Sequence, residues 1–119
     1  MNTSQIGSFG EKKAASYLRW HGYKIVDTNC RYRQGEIDII AENRKYIVFV
    51  EVKLRKNSKY GQAQEFVTYS KQQKVIAAAQ LWLQQHDTDK QPRFDVIEIY
   101  APDGIDSRKI EINHIENAF

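Results

Sequence analysis

Residues 45–54, KYIVFVEVKL, constrain the fold more than any other stretch of the chain. The run is dense in β-branched and aromatic residues, which suit a pleated, half-buried surface. It is expected to form the central strand of a sheet. Glu51 and Lys53 nevertheless interrupt its second half. Side chains alternate along a strand, so both charges fall on one face, together with Phe49. A central strand normally excludes charge, because an unpaired carboxylate taken out of water is very costly. What the neighbouring strand places across from these charges decides whether they are tolerated.

The neighbour is GEIDIIAE, opened by Gly35 and joined to the central strand through a tight turn at Asn43–Arg44. If those two residues are the whole turn, Glu42 pairs with Lys45, Asp38 lies opposite Phe49, and Glu36 lies opposite Glu51. Asp38 is then the diagonal neighbour of Glu51, roughly 7–8 Å away at Cβ. A three-residue turn would reverse the parity and separate the charges. On this register Glu36, Asp38, Glu51 and Lys53 crowd one face. A Mg²⁺ or Mn²⁺ ion would relieve the repulsion, because hard cations take carboxylate oxygens and keep several waters. Asp38 and Glu51 at that separation can reach one such ion between them, and Lys53 would orient a metal-bound water. The alternative is an ordinary solvent-facing sheet surface closed by salt bridges.

The rest of the chain reads as one domain over residues 1–119. Residues 4–21 have helical spacing, with Ile6, Phe9, Ala14, Tyr17, Leu18 and Trp20 recurring and Gly22 ending the run. Tyr23–Val26 is a short strand, and residues 27–34 form a polar, basic connection. After the hairpin, residues 55–65 form a basic loop. A second helix, capped by Thr68 or Ser70, runs to about His86. HDTDKQP is a linker, FDVIEIYA a strand, PDG a turn and RKIEINHI a last strand. The order α-β-β-β-α-β-β points to an α/β fold, a mixed central sheet flanked by helices.

Composition narrows the classes. Hydrophobic residues at 41% and charged residues at 28% describe a globular chain. No apolar run approaches the roughly 20 residues that span a bilayer, and the N-terminus lacks the order of a signal peptide. A cytoplasmic protein with no membrane association is expected. Cys30 is the single cysteine, which excludes an internal disulfide. His21, His86 and His114 stand far apart, against a zinc site. A net charge of +3 permits a polyanionic partner without requiring one.

An Asp, twelve intervening residues, then Glu-Val-Lys resembles the PD-(D/E)xK nuclease signature, here with Ile37 where the pattern has Pro. More of the chain resembles the bacterial YraN-like (UPF0102) family. The matching stretches are GEKKAASYL (10–18), NCRYRQGEIDII (29–40), IVFVEVKLR (47–55), VTYSKQQKV (67–75) and RFDV (93–96). The resemblance implies a restriction-endonuclease-like fold and a nucleic-acid partner, DNA rather than RNA. It implies Asp38 and Glu51 as metal ligands and Lys53 as catalytic lysine. Glu11 would be a further acid, like the helix acid of archaeal Holliday-junction resolvases. Such relatives act as homodimers.

Other residues support the reading, each with an ordinary alternative. Gln72 falls near the apolar stripe of Val75, Ile76, Ala79, Trp82 and Leu83, so it is expected to meet the acids or a phosphate. Alternatively it bonds a free backbone group at the helix start. Lys71 lies beside it at the positive helix end. Glu11 is otherwise a surface glutamate. Arg31, Arg33, Arg55, Lys56 and Lys59, interleaved with Tyr32 and Tyr60, are either phosphate contacts or solvated loop charge. Asp95 is expected to be structural, pairing with Arg93 or a helix end. The function expected is metal-dependent DNA endonuclease acting on branched or structured DNA. The alternatives are a nucleic-acid-binding module that keeps the fold without cutting, and a small interaction protein.

Overall fold

The computed structural model describes residues 3–56 and 67–119, with the side chains of all these except residues 3–7 and 105. The order is α1 (Thr3–Trp20), β1 (Lys24–Tyr32), β2 (Gly35–Glu42), β3 (Tyr46–Arg55), α2 (Tyr69–Gln85), β4 (Gln91–Tyr100), a short 3-10 turn (Gly104–Asp106) and β5 (Glu111–Ile115). The strands form one sheet in the order β1-β2-β3-β4-β5. Only β3 and β4 run parallel, as the α2 crossover between them requires. Among the described residues, no helix is long and apolar enough to cross a membrane.

Strand alternation divides the core. Val48 and Val50 of β3 join Ile39 and Ala41 of β2 and Ile97 and Ile99 of β4 beneath Ala14 and Leu18 of α1. Ile47 and Phe49 point the other way, into Val75, Ala78, Ala79 and Trp82 of α2. The central strands are thus buried on both faces, which accounts for the apolar density of β3. Trp20 cannot share the Leu18 face, being two residues round the helix, and is 89% exposed.

Three expectations on the strands are corrected. β1 does not stop at Val26 but runs through the polar stretch to Tyr32, with an irregularity between Ile25 and Asp27 and a positive φ of 51° at Asn29. An edge strand can be polar because much of its surface faces water. The β2–β3 connection is also longer than Asn43–Arg44. Glu42 pairs with Ile47, so residues 43–46 form the loop. The Asn43 side chain accepts the N–H groups of Lys45 and Tyr46, at 3.0 and 2.8 Å, and holds that wider turn. At the other end, β4 begins within the expected linker, at Gln91, whose N–H donates to the Lys45 carbonyl.

Of the two glycines where a helix meets the sheet, only Gly35 is required by the approach. A Cβ on Gly10 would lie 3.6 Å from Val52 Cγ1, an ordinary contact. At Gly35 the approach is to backbone, since a Cβ there would lie 2.3 Å from the Lys74 carbonyl oxygen. Any side chain at position 35 must push α2 off the start of β2. Gly35→Ala is expected to cost about 1–3 kcal/mol. An unchanged denaturation midpoint would contradict the close approach.

Candidate metal centre

Asp38 sits where the ladder between β2 and β3 runs out. The paired residues end at Ile39 opposite Val50. One step further, the Asp38 carboxylate takes over a partner's role, its Oδ2 accepting the Val52 N–H at 2.8 Å. Continuing the register by one residue places Asp38 across from Glu51 and not diagonal to it. The face parity survives because the loop is longer than expected by an even number of residues.

Glu51 lies 5% exposed at the inner end of the apolar run of β3. Its Oε1 faces Lys53 Nζ at 3.6 Å and Lys71 Nζ at 3.7 Å. Its Oε2 is buried with no hydrogen-bond partner among the described residues. Both lysines therefore gather on one oxygen and leave the other unpaired by them. Such an atom carries a desolvation penalty of about 1–3 kcal/mol or more until something coordinates it.

The two carboxylates disturb each other. Burial, then the nearby Glu51 charge, push Asp38 up to about 7, against the Val52 hydrogen bond; Glu11 pushes the same way and Lys71 opposes. Burial also raises Glu51, with Lys71 and Lys53 opposing and Glu36 adding to the rise. Asp38 thus feels Glu11 from the α1 side of the sheet and Lys71 from the α2 side. The two carboxyls therefore share their titration, and each is raised above the ordinary carboxylate range.

These donors fit a hard divalent cation. Two carboxylates, one with an orphaned buried oxygen, would be neutralised by such an ion, which keeps several waters of its own. Among the described residues no group of three or more His, Cys, Asp or Glu side chains is placed to hold a metal ion.

The remaining expected residues divide. Glu11 is held from β1, its Oε2 accepting Asn29 Nδ2 at 2.8 Å. Lys71 stands beside Glu51, on a helix start capped by Thr68, whose Oγ1 accepts the Lys71 N–H at 3.1 Å. Gln72 takes the backbone alternative, its Nε2 donating to the Val67 carbonyl at 3.0 Å. Arg55 also turns inward, its Nε 3.5 Å from Oε2 of Glu98, an acid on β4 that is only 1% exposed. Lys56 follows β3 and is exposed, while Lys59 and Tyr60 lie outside the described residues. Arg31 stands 3.6 Å from Glu36 on the surface.

Arg31 and Arg33 belong to the β1–β2 hairpin. Residues 31–36 of that hairpin form one wall of an open cleft of about 370 Å³, and Lys71 and Lys74 of α2 form the other. Lys74 was missed in the sequence, although its spacing of three from Lys71 puts both on one helix face. Asn29 was missed as well. Its only signal is that asparagine tolerates the left-handed backbone better than most residues.

On the far side of the sheet Asp95 has the structural role expected. Arg93 grips it with two hydrogen bonds, from Nε at 2.9 Å and from Nη2 at 2.8 Å. His114 Nε2 approaches its Oδ2 at 2.6 Å, and the Asn117 N–H donates to its Oδ1 at 3.0 Å. Arg93 also donates to the Tyr23 hydroxyl at 2.7 Å.

The model of the uncharacterised protein family UPF0102 matches residues 10–99, a span that runs from α1 to β4 and holds Glu11, Asp38, Glu51 and Lys53. The chain belongs to family UPF0102. A UPF0102 protein of Caldanaerobacter subterraneus subsp. tengcongensis is 45% identical over 121 residues, covering 100% of this chain and 98% of the relative. One from Clostridioides difficile is 45% identical over 120 residues, and one from Caldicellulosiruptor bescii is 47% identical over 121; each covers 100% of both chains. These relatives carry the family name without a stated activity.

Proposed function

We propose that this UPF0102 protein is a Mg²⁺- or Mn²⁺-dependent endonuclease that hydrolyses phosphodiester bonds in DNA. One observation carries the reading. Two carboxylates from adjacent strands meet at the open end of a buried ladder, one with an orphaned oxygen, and a lysine two residues on shares their face. The PD-(D/E)xK-like spacing of Asp38, Glu51 and Lys53 supports it.

Asp38 and Glu51, with the Val52 carbonyl, would hold the ion. When bound, it supplies charge stabilisation for the phosphate and lowers the pKa of water. The chain's own groups do the rest. The Val52 N–H fixes one oxygen of Asp38 and so orients the carboxylate. Lys53 stands with its ammonium beside Glu51, where it donates a hydrogen bond to the attacking water or to a phosphate oxygen as negative charge develops. Lys71 brings a second positive charge from the start of α2. Asn29 keeps Glu11 turned toward the same region.

The test is cleavage of single-stranded, duplex, flapped and four-way-branched DNA with Mg²⁺ or Mn²⁺. Lys53→Ala is expected to lower the rate by about 10²–10³-fold, the size of effect seen when one preorganised donor is lost. Chelation should stop the reaction. If wild type and Lys53→Ala release identical product, the activity belongs to something else and the reading fails. DNA binding without cleavage by the wild type, in any divalent metal, would instead mark a binding module that keeps the fold.

A further inference from the structure

The cleft between the β1–β2 hairpin and α2 joins the metal centre through a single residue. Lys71 forms part of its wall and also stands 3.7 Å from Glu51. Whatever fills the cleft is therefore within one side chain of the reacting phosphate. Three more cations, Arg31, Arg33 and Lys74, face the same space against one acid, Glu36. Four positive charges and one negative charge attract an anion. Tyr32 adds an aromatic wall of the kind on which a base stacks.

Size decides what kind of anion. The volume of about 370 Å³ falls near the lower end of small-ligand pockets, about 300–1,000 Å³. It admits one nucleotide. A stacked base pair with its two backbones does not fit, and the cleft cannot widen by retreat of α2 without breaking the contact at Gly35, whose backbone abuts that of Lys74.

We propose that this cleft binds one unpaired nucleotide of the DNA strand, next to the bond that is cut. The inference rests on the endonuclease reading for what happens at Asp38 and Glu51, and adds the substrate class. Its consequence is a preference for DNA with a single-stranded segment or flap over duplex or a fully paired four-way junction. Arg31 and Arg33 hold phosphates, Tyr32 stacks the base, and Lys71 and Lys74 line the path to the metal centre. A nucleotide held through its phosphates and one stacked face is selected by strand state and not by sequence.

The experiment separates binding from cutting. Fluorescence anisotropy with a labelled hexathymidylate is measured without divalent metal, at several salt concentrations. Competitors are an unlabelled hexathymidylate and a blunt duplex. The wild type should favour the single strand by about tenfold or more. The double variant Arg33→Ala/Lys74→Ala should weaken single-strand binding by about tenfold and flatten its salt dependence. Lys45→Ala, in the β2–β3 loop, should change nothing, and Arg33→Lys should keep most of the affinity. Equal affinity of wild type and the double variant, or equal competition by duplex, overturns the proposal. Circular dichroism of the double variant guards against simple unfolding, and Arg33→Ala alone gives the same reading at half the perturbation. Failure of the endonuclease reading looks different: hexathymidylate binds with this pattern, yet no DNA is cut in any metal.

Discussion

Asp38→Asn is expected to abolish cleavage and metal binding while making the metal-free protein more stable at pH 8. Asp38 is pushed up to about 7 from 3.8, first by burial and then by the facing Glu51 charge. The folded protein therefore holds a proton that the unfolded chain has released between pH 4 and 7. Where the folded state binds more protons, stability falls as pH rises. The wild type thus loses stability across that window and stays low above it. The full shift would correspond to about 4 kcal/mol. Relaxation around the pair and solvent at the open end reduce this to about 2 kcal/mol. Asparagine is nearly isosteric, its carbonyl still accepts the Val52 N–H, and it brings no charge. A midpoint about 5–10 °C higher at pH 8 is expected, with the two proteins converging toward pH 4. Millimolar Mn²⁺ should raise the wild-type midpoint, because an ion that binds only the folded state stabilises it by about 2.7 kcal/mol at a hundredfold excess over Kd. The variant should not respond, and cleavage should fall by about 10³-fold or more. Thermal melts at pH 5 and pH 8, with and without Mn²⁺, check all of this. A variant less stable than wild type at pH 8 would show that Asp38 is held for structure and not for a ligand.

That conflict between stability and the charges on β3 was legible in the sequence, and the reason is parity. A two-residue period makes Glu51 and Lys53 share a face whatever the register. The partner acid keeps that face for any turn of even length, so Asp38 was found although the loop spans residues 43–46 and not Asn43–Arg44. The exact opposition to Glu51 was not legible, because it depends on how the Asn43 side chain organises the loop. β1 was underestimated because edge strands lack the apolar alternation that announces a strand. For Gln72 the sequence places the residue on the apolar stripe, but it cannot show that the Val67 carbonyl lies within reach. The same limit applies to Arg55. Its approach to Glu98 depends on the parallel neighbour β4, brought alongside β3 only after the α2 crossover. The cleft was half legible. Arg31 and Arg33 stand together in sequence, whereas Lys74 joins them only because Gly35 lets α2 settle against β2.

The largest loss of stability is expected from the opposite face, at Asp95→Ala. Asp95 is fully buried, and Arg93 beside it is 8% exposed. Burial alone would raise the Asp95 pKa, but hydrogen bonds from His114 and Arg93 and from the Asn117 N–H outweigh it and lower it. A lowered carboxylate contributes stability above its unfolded value, and that stability is lost as pH falls below about 4. Removing Asp95 leaves the Arg93 guanidinium with only the exposed Glu116 carboxylate, 3.9 Å away, as counter-charge, and leaves His114 Nε2 and the Asn117 N–H without their partner. Taking away one partner of a buried pair costs about 3–5 kcal/mol. Against a total of about 5–15 kcal/mol for an ordinary domain, that is a large share. Replacing both charges together, as Arg93→Met/Asp95→Leu, should cost much less, because no unpaired charge is then left behind. Urea denaturation of the single and double variants measures the difference. Mn²⁺ affinity and single-strand affinity of the folded fraction should be unchanged in both, since the cluster lies across the sheet from Glu51 and Lys53. A loss under about 1 kcal/mol in Asp95→Ala would mean that the charges are paired with water instead of each other, and that β5 is held by its ladder to β4 alone.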